Sequence, residues 1–152
     1  VKDVLQKAKE NNCSIILPKE VVISKSLSGS EDAKNIDISE MDNNSVIYDI
    51  GEKTIEEICN TIPTCKTIFW NGPLGVYETP PFDNSTNVIG RTIAILTKAN
   101  IVTSVVGGGD TVAALNNAEL TGGFSYVSIA GGALVEWLEG KKLPGLLFLE
   151  NL

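Results

Sequence analysis

Few side chains in this chain of 152 residues are able to do chemistry, and their types narrow it sharply. There is no histidine, which removes Ser-His-Asp and Cys-His nucleophilic catalysis, imidazole bases and histidine-ligated metals together. Carboxylates, lysines, hydroxyls, thiols and backbone amides remain. The densest cluster is Gly107-Gly108-Gly109-Asp110-Thr111, where glycines bare the backbone amides and one acid stands at the opening of a helix. Asp110 has two readings that can coexist. It caps the first amides of that helix, or it holds Mg²⁺ beside phosphate oxygens, since that ion takes only one or two carboxylates and keeps water. Glu78 has a similar choice between a solvated loop acid and an acceptor for ribose hydroxyls.

Two further glycine turns, Asn71-Gly72-Pro73-Leu74-Gly75 and Gly131-Gly132, also expose backbone N–H groups. The turns at Gly107 and Gly131 open helices whose positive dipole ends favour phosphate oxygens. None is a Walker A loop, because no Gly-Lys-Ser/Thr follows, and the G-x-G-x-x-G pattern fails because position 112 is Val. Arg91 is the single arginine, so no site built on several guanidinium clamps can come from this chain alone. With 12 basic against 19 acidic residues the net charge is -7, which repels nucleic acid and anionic lipid. Neither nucleic acid nor membrane is expected as a partner.

The elements that must position these turns follow from apolar spacing. Val4, Leu5 and Ala8 place a short helix over 1–12, and Ile15-Ile16-Leu17 and Val21-Val22-Ile23 read as strand segments about Pro18. The polar stretch from Ser24 to Ser45 reads as an exposed excursion able to hold a short hairpin. From Val46 a strand-turn-helix unit repeats. Strands at Val46–Ile50, Thr67–Trp70, Ile101–Val106 and Tyr126–Ile129 alternate with helices at Thr54–Asn60, Thr86–Lys98, Thr111–Asn117 and Ala133–Leu138. Continuously apolar strands between helices predict an α/β fold with a parallel sheet covered on both faces. In such sheets ligands bind beyond the carboxyl ends of the strands, so the three glycine turns should converge on one edge. Trp137 reads as core packing, and Glu136, Glu139, Lys141 and Lys142 as a solvated helix end. Cys13, Cys59 and Cys65 lack metal or disulfide spacing and read as small buried hydrophobes in a reducing cytoplasm. No apolar run reaches the roughly 20 residues that span a bilayer.

Three long stretches, Phe69-Trp70-Asn71-Gly72-Pro73-Leu74-Gly75-Val76-Tyr77-Glu78, Val105-Val106-Gly107-Gly108-Gly109-Asp110-Thr111-Val112-Ala113-Ala114 and Leu138-Glu139-Gly140-Lys141-Lys142-Leu143-Pro144-Gly145, closely resemble phosphoglycerate kinase in that order and spacing. Ile16-Leu17-Pro18 with Val21-Val22, and Asp49-Ile50-Gly51-Glu52-Lys53-Thr54, fit the same family. The resemblance extends over essentially the whole chain but matches only the latter part of the family's C-terminal, nucleotide-binding domain. It implies an incomplete doubly wound, Rossmann-like three-layer sheet, from a kinase that moves a phosphoryl group between 1,3-bisphosphoglycerate and ADP in glycolysis.

Position by position, the resemblance implies that Asn71 and Gly72 line the nucleotide and Glu78 accepts the ribose hydroxyls. Gly108, Gly109, Asp110 and Thr111 would hold the nucleotide phosphates, Asp110 would hold Mg²⁺, and Gly131 and Gly132 would face the transferring group. The implied cofactors are ATP/ADP and Mg²⁺, in a monomeric parent enzyme. Where the family reads Ser-Thr-Gly-Gly-Gly-Ala-Ser, this chain has Ser128-Ile129-Ala130-Gly131-Gly132-Ala133-Leu134. The family's substrate domain, with its basic phosphoglycerate site, has no counterpart in these residues, and the start at Val1 reads as the middle of a longer protein. Residues 1–152 are therefore expected to form a partial nucleotide-binding domain, with 46–152 as the βα core and 1–45 peripheral. The Ile15–Leu17 strand would lack its sheet neighbours, and the chain by itself would be inactive as a kinase.

Overall fold

The computed structural model of the chain describes residues 1–28 and 30–150. Two three-stranded sheets organise it. Strand β1 (Glu20–Ser24) lies between β2 (Lys34–Asp37) and β3 (Val46–Ile50), antiparallel to both. Strand β5 (Thr103–Gly107) lies between β4 (Thr67–Asn71) and β6 (Tyr126–Ser128), parallel to both. Helices α1 (Lys2–Glu10), α2 (Glu52–Thr61), α3 (Asn84–Lys98), α4 (Gly109–Asn117), α5 (Gly131–Leu138) and α6 (Pro144–Glu150) complete the chain. The fold is α/β with a Rossmann-like parallel sheet, and each helix from α2 to α5 stands where apolar spacing places one.

Several sequence expectations are corrected. Val46–Ile50 is a strand, but it pairs antiparallel with β1 and does not enter the parallel sheet. Its neighbour is set by Val21–Ile23, whose apolar residues offer a second surface to cover. Ile15–Leu17 forms no strand, and Ile15 and Leu17 are 41% and 61% exposed. Among the described residues no backbone hydrogen bond reaches residues 15–17, and Pro18 cannot donate. The strand begins at Glu20, where two neighbours exist. The polar excursion does hold a hairpin, closed by β1 and β2 in the register Val21 to Ile36. Trp137 is 56% exposed, Cys13 is exposed and Cys65 is half-buried, so these do not form the core, whereas half-buried Cys59 packs against its edge.

Left-handed residues follow four of the described helices, Asn12 after α1, Asn100 after α3, Glu119 after α4 and Gly140 after α5; the two flanking the parallel strands show the geometry. Asn100 (φ 56°) follows α3, where its N–H and that of Ile101 donate to the carbonyls of Thr97 and Leu96. Glu119 (φ 58°) follows α4, and its N–H and that of Leu120 donate to Asn116 and Leu115 in the same way. Both are paired closures that satisfy otherwise orphaned carbonyls and turn the chain toward the next strand. Asn supplies the first at low cost; Glu119 pays a left-handed penalty that the two bonds offset. The core gathers Ile55, Ile62, Trp70, Ile89, Ile93, Val106 and Leu115 between α2, α3, α4 and the parallel sheet.

The chain from β4 to α3 carries no helix or strand over residues 72–83, and it is held by close contacts. Gly75 (φ 62°) lies so near the Phe82 carbonyl and the Asp49 carboxylate that an added Cβ would stand within 2.3 and 2.4 Å of their oxygens. A left-handed backbone alone costs about 1 to 2 kcal/mol for a residue bearing Cβ. Gly75→Ala is therefore expected to lower unfolding stability by more than about 2 kcal/mol, the steric overlap adding to that cost. Urea denaturation would measure it, and a loss under about 0.5 kcal/mol, the range of ordinary surface substitutions, would contradict the packing described.

Candidate nucleotide-facing site

Each glycine turn begins where a parallel strand ends, so the strand register decides whether the turns meet. Asn71, the last residue of β4, is level with Gly107 of β5, which is level with Ser128 of β6. The turns consequently open side by side. The Gly72 N–H donates to Thr111 Oγ1 at 2.7 Å, joining the first turn to the second across 39 residues. The Gly108 N–H donates to the Ser128 carbonyl at 3.1 Å, joining the second to the third. Trp70 Nε1 donates to the Gly72 carbonyl at 2.7 Å, so both backbone polar groups of Gly72 are held.

The approach is close enough to require glycine at two positions. A Cβ on Gly131 would stand 2.4 Å from the Gly108 nitrogen and 2.8 Å from Asn71 Oδ1. Gly108 (φ 97°) precedes α4 as its N-cap. This corrects the capping alternative for Asp110. The acid is the second residue of α4, makes no capping bond, and is exposed. The first intrahelical bonds of α4 and α5 run from Val112 to Gly108 and from Leu134 to Ala130. The amides before Val112 and Leu134 thus have no acceptor within their own helices, as at any helix start. Ala130 has φ −89°, an ordinary backbone, so alanine is unstrained where the resembling motif carries glycine.

Glu78 lies on the irregular segment after Gly75 and is exposed. Its neighbour Tyr77 reports on the surroundings. The Tyr77 hydroxyl is held above its ordinary pKa by desolvation first, then by the negative charges of Glu78 and Asp110, and by a hydrogen bond with Glu78. Glu78 and Asp110 therefore act on one phenol although 32 residues separate them in sequence. Sequence reasoning passed over Tyr77, whose position between Val76 and Glu78 carries no spacing signal.

Asn71, Gly72, Glu78, Gly109, Asp110 and Gly132 are exposed, whereas Thr111 and Gly131 are buried. The joined turns thus bring backbone amides and the Asn71 carboxamide together, with the Asp110 carboxylate in the first turn of α4. Arg91 stands on α3, exposed. No group of three or more Cys, Asp or Glu side chains among the described residues could hold a metal by itself. Nor is any described helix long and apolar enough to cross a membrane.

Asp49 was also passed over except as part of a motif. It is 3% exposed on β3 and accepts hydrogen bonds from the Ile50 N–H (2.8 Å), the Ser85 N–H (3.0 Å) and the Ser85 hydroxyl. Burial pushes its pKa above the ordinary 3.8, outweighing the hydrogen bonds that pull it down. The sign follows from linkage: the native state binds the proton more tightly, so this group's contribution is full below about pH 3.8 and declines as pH rises through the raised value. One signal could have found it. Asp is disfavoured inside a strand such as Val-Ile-Tyr-Asp-Ile unless something holds its charge.

Comparison with known proteins agrees with this layout. The family model of phosphoglycerate kinase matches residues 1–141. The phosphoglycerate kinase of Novosphingobium aromaticivorans is 45% identical over 150 residues, covering 98% of this chain and 38% of its own length. The solved phosphoglycerate kinase of Coxiella burnetii superposes with a TM-score of 0.86 at 39% identity, over 99% of this chain and 38% of that one. That of Pyrococcus horikoshii superposes at 0.73 with 25% identity, again over 98% and 38%. The chain thus spans a little over a third of the length of the relatives it matches. With a family model matching residues 1–141 and relatives superposing over nearly its whole length, the chain belongs to the phosphoglycerate kinase family.

Proposed function

We propose that this chain supplies the nucleotide and Mg²⁺ half of a phosphoglycerate kinase, which transfers a phosphoryl group between 1,3-bisphosphoglycerate and ADP to give 3-phosphoglycerate and ATP in cytoplasmic glycolysis. The observation that carries the reading is the junction of the three turns, in which Thr111 ties Gly72 while Gly131 packs against Gly108 and Asn71. Residues 1–152 serve as a partial nucleotide-binding domain with 46–152 as its βα core, and the phosphoglycerate is bound by the other domain of a monomeric enzyme.

Within it, Asn71 and Gly72 line the nucleotide, Glu78 accepts the ribose hydroxyls, and the amides of Gly108, Gly109, Asp110 and Thr111 bind phosphate. Gly131 and Gly132 present the start of α5 to the transferring group, where amides stabilise developing charge without reorganising. The donor set at Asp110 fits Mg²⁺. A single exposed carboxylate beside helix-start amides leaves the remaining positions for phosphate oxygens and water, as that ion prefers. When bound, Mg²⁺ would neutralise charge on the nucleotide phosphates.

Titration calorimetry with MgADP tests the reading. Asp110→Ala and Glu78→Ala should each weaken binding by about 10- to 100-fold, the cost of losing a charged partner. Glu139→Ala, on the far end of α5 where Glu139 pairs with Lys141, should leave it unchanged. Equal losses in all three variants would overturn the site.

A further inference from the structure

We propose that Asp49 is the positioning residue for the Glu78 loop, its buried carboxylate fixing how that loop meets a ribose; this rests on the nucleotide reading above. The loop leaves β4 at Asn71 and re-enters regular structure at Asn84. Between these points it is held from β3 on three sides. The Val76 N–H donates to the Tyr48 carbonyl at 2.9 Å, the Phe82 ring packs on Tyr48 with centroids 4.8 Å apart, and Gly75 rests on the Asp49 carboxylate itself. Glu78 sits between the anchored Val76 and the anchored Phe82, so its place is dictated by the Tyr48-Asp49 pair.

The carboxylate also determines where the loop ends. Helix α3 has no side-chain cap of its own: its N-cap, Asp83, makes no capping bond. The orphaned N–H of Ser85 is satisfied instead by Asp49 Oδ2, and the Ser85 hydroxyl by Oδ1. A negative charge brought from another strand thus serves the positive end of α3. Next to it, Thr86 Oγ1 accepts from the Leu74 N–H at 2.9 Å and donates to the Leu74 carbonyl. One buried acid therefore bears on the start of the loop through Gly75, on its end through Ser85, and on β3 through Ile50. Burial raises its proton affinity, and three donors, the Ile50 N–H, the Ser85 N–H and the Ser85 hydroxyl, converge on it and fix its orientation.

The experiment uses Asp49→Asn, which keeps volume and one acceptor but loses the charge, with Ser85→Ala as a second variant that removes the hydroxyl from the same carboxylate. Affinities of the chain for ADP and for 2′,3′-dideoxy-ADP are compared, with Glu78→Gln as reference. The unsubstituted chain should prefer ADP by about tenfold or more, the worth of a charged hydrogen bond to hydroxyl. Asp49→Asn should reduce that preference to about twofold or less, as Glu78→Gln does, while dideoxy-ADP binding is nearly unchanged. A loss equal for both ligands would make Asp49 a structural residue only and overturn the proposal. Amide exchange of residues 74–82 is the readout independent of nucleotide. Faster exchange there in Asp49→Asn or Ser85→Ala, with Val105 and Val106 unchanged, supports positioning even if no nucleotide binds, in which case the nucleotide reading fails instead. Unchanged loop exchange in both variants overturns the proposal.

Discussion

Given 1,3-bisphosphoglycerate and MgADP, the isolated 152-residue chain is expected to form no measurable ATP. Phosphoryl transfer leaves a protein little covalent work; its rate comes from placing donor and acceptor in line and from stabilising charge. Orientation of two bound reactants contributes about 7 to 11 kcal/mol of barrier lowering, and it exists only if both are held. The chain corresponds to about 38% of its relatives' length. Its net charge of -7 and its single arginine offer little attraction for an anionic acyl phosphate. A coupled assay of the purified chain would check this, and robust ATP formation that scaled with chain concentration would show that these residues bind both substrates. The expected outcome is nucleotide binding without turnover.

The largest effect on stability is expected from Phe82→Ala. Phe82 is fully buried, stacks on Tyr48, and presents its carbonyl to Gly75, so it fills the space between β3 and the loop that carries Glu78. Truncating a buried phenylalanine costs about 3 to 5 kcal/mol, through lost transfer energy and the cavity left behind. Total stability of a domain is about 5 to 15 kcal/mol, so the variant should be marginal at best. Urea denaturation with an unchanged m-value would isolate the effect, and a loss below about 1 kcal/mol would mean the loop collapses onto the space or is not packed as described. Because Val76 and Phe82 flank Glu78, MgADP affinity should fall together with stability in this variant. Ile95→Ala, by contrast, removes a side chain that is 66% exposed on α3 and should change neither by much.

Much of the parallel half was legible in the sequence because its signals are local. Thr67–Trp70, Ile101–Val106 and Tyr126–Ile129 are short apolar runs, followed by Asn71, by Gly107 and, after Ala130, by Gly131, and the helices between them show their buried faces by spacing. Strand pairing is not local. Val46–Ile50 is as apolar as β4, yet it joins the antiparallel sheet because Val21–Ile23 lies within reach, and no pattern within either segment states that. Ile15–Leu17 shows the converse: a strand-like composition becomes strand only where a neighbour accepts its backbone groups. Trp137 was misread for a related reason. Burial depends on what covers a side chain, and residue type alone does not supply the cover.

The candidate site divides in the same way. Sequence by itself determined the absence of imidazole chemistry, the glycine turns near strand ends, the two acids Glu78 and Asp110, and the family resemblance from which roles for them are proposed. These depend on residue type and short spacing, which a chain displays before it folds. Only the tertiary structure decided that Thr111 reaches Gly72, that Gly131 needs its missing Cβ to lie on Gly108, and that Glu78 and Asp110 act on one tyrosine. It also decided that Asp49, an awkward strand residue by propensity, lies beneath the loop that carries Glu78. Each of these contacts joins segments tens of residues apart, and closing them depends on the register of β3, β4 and β5. That register is chosen by the packing of whole elements, so it exists only in the folded chain.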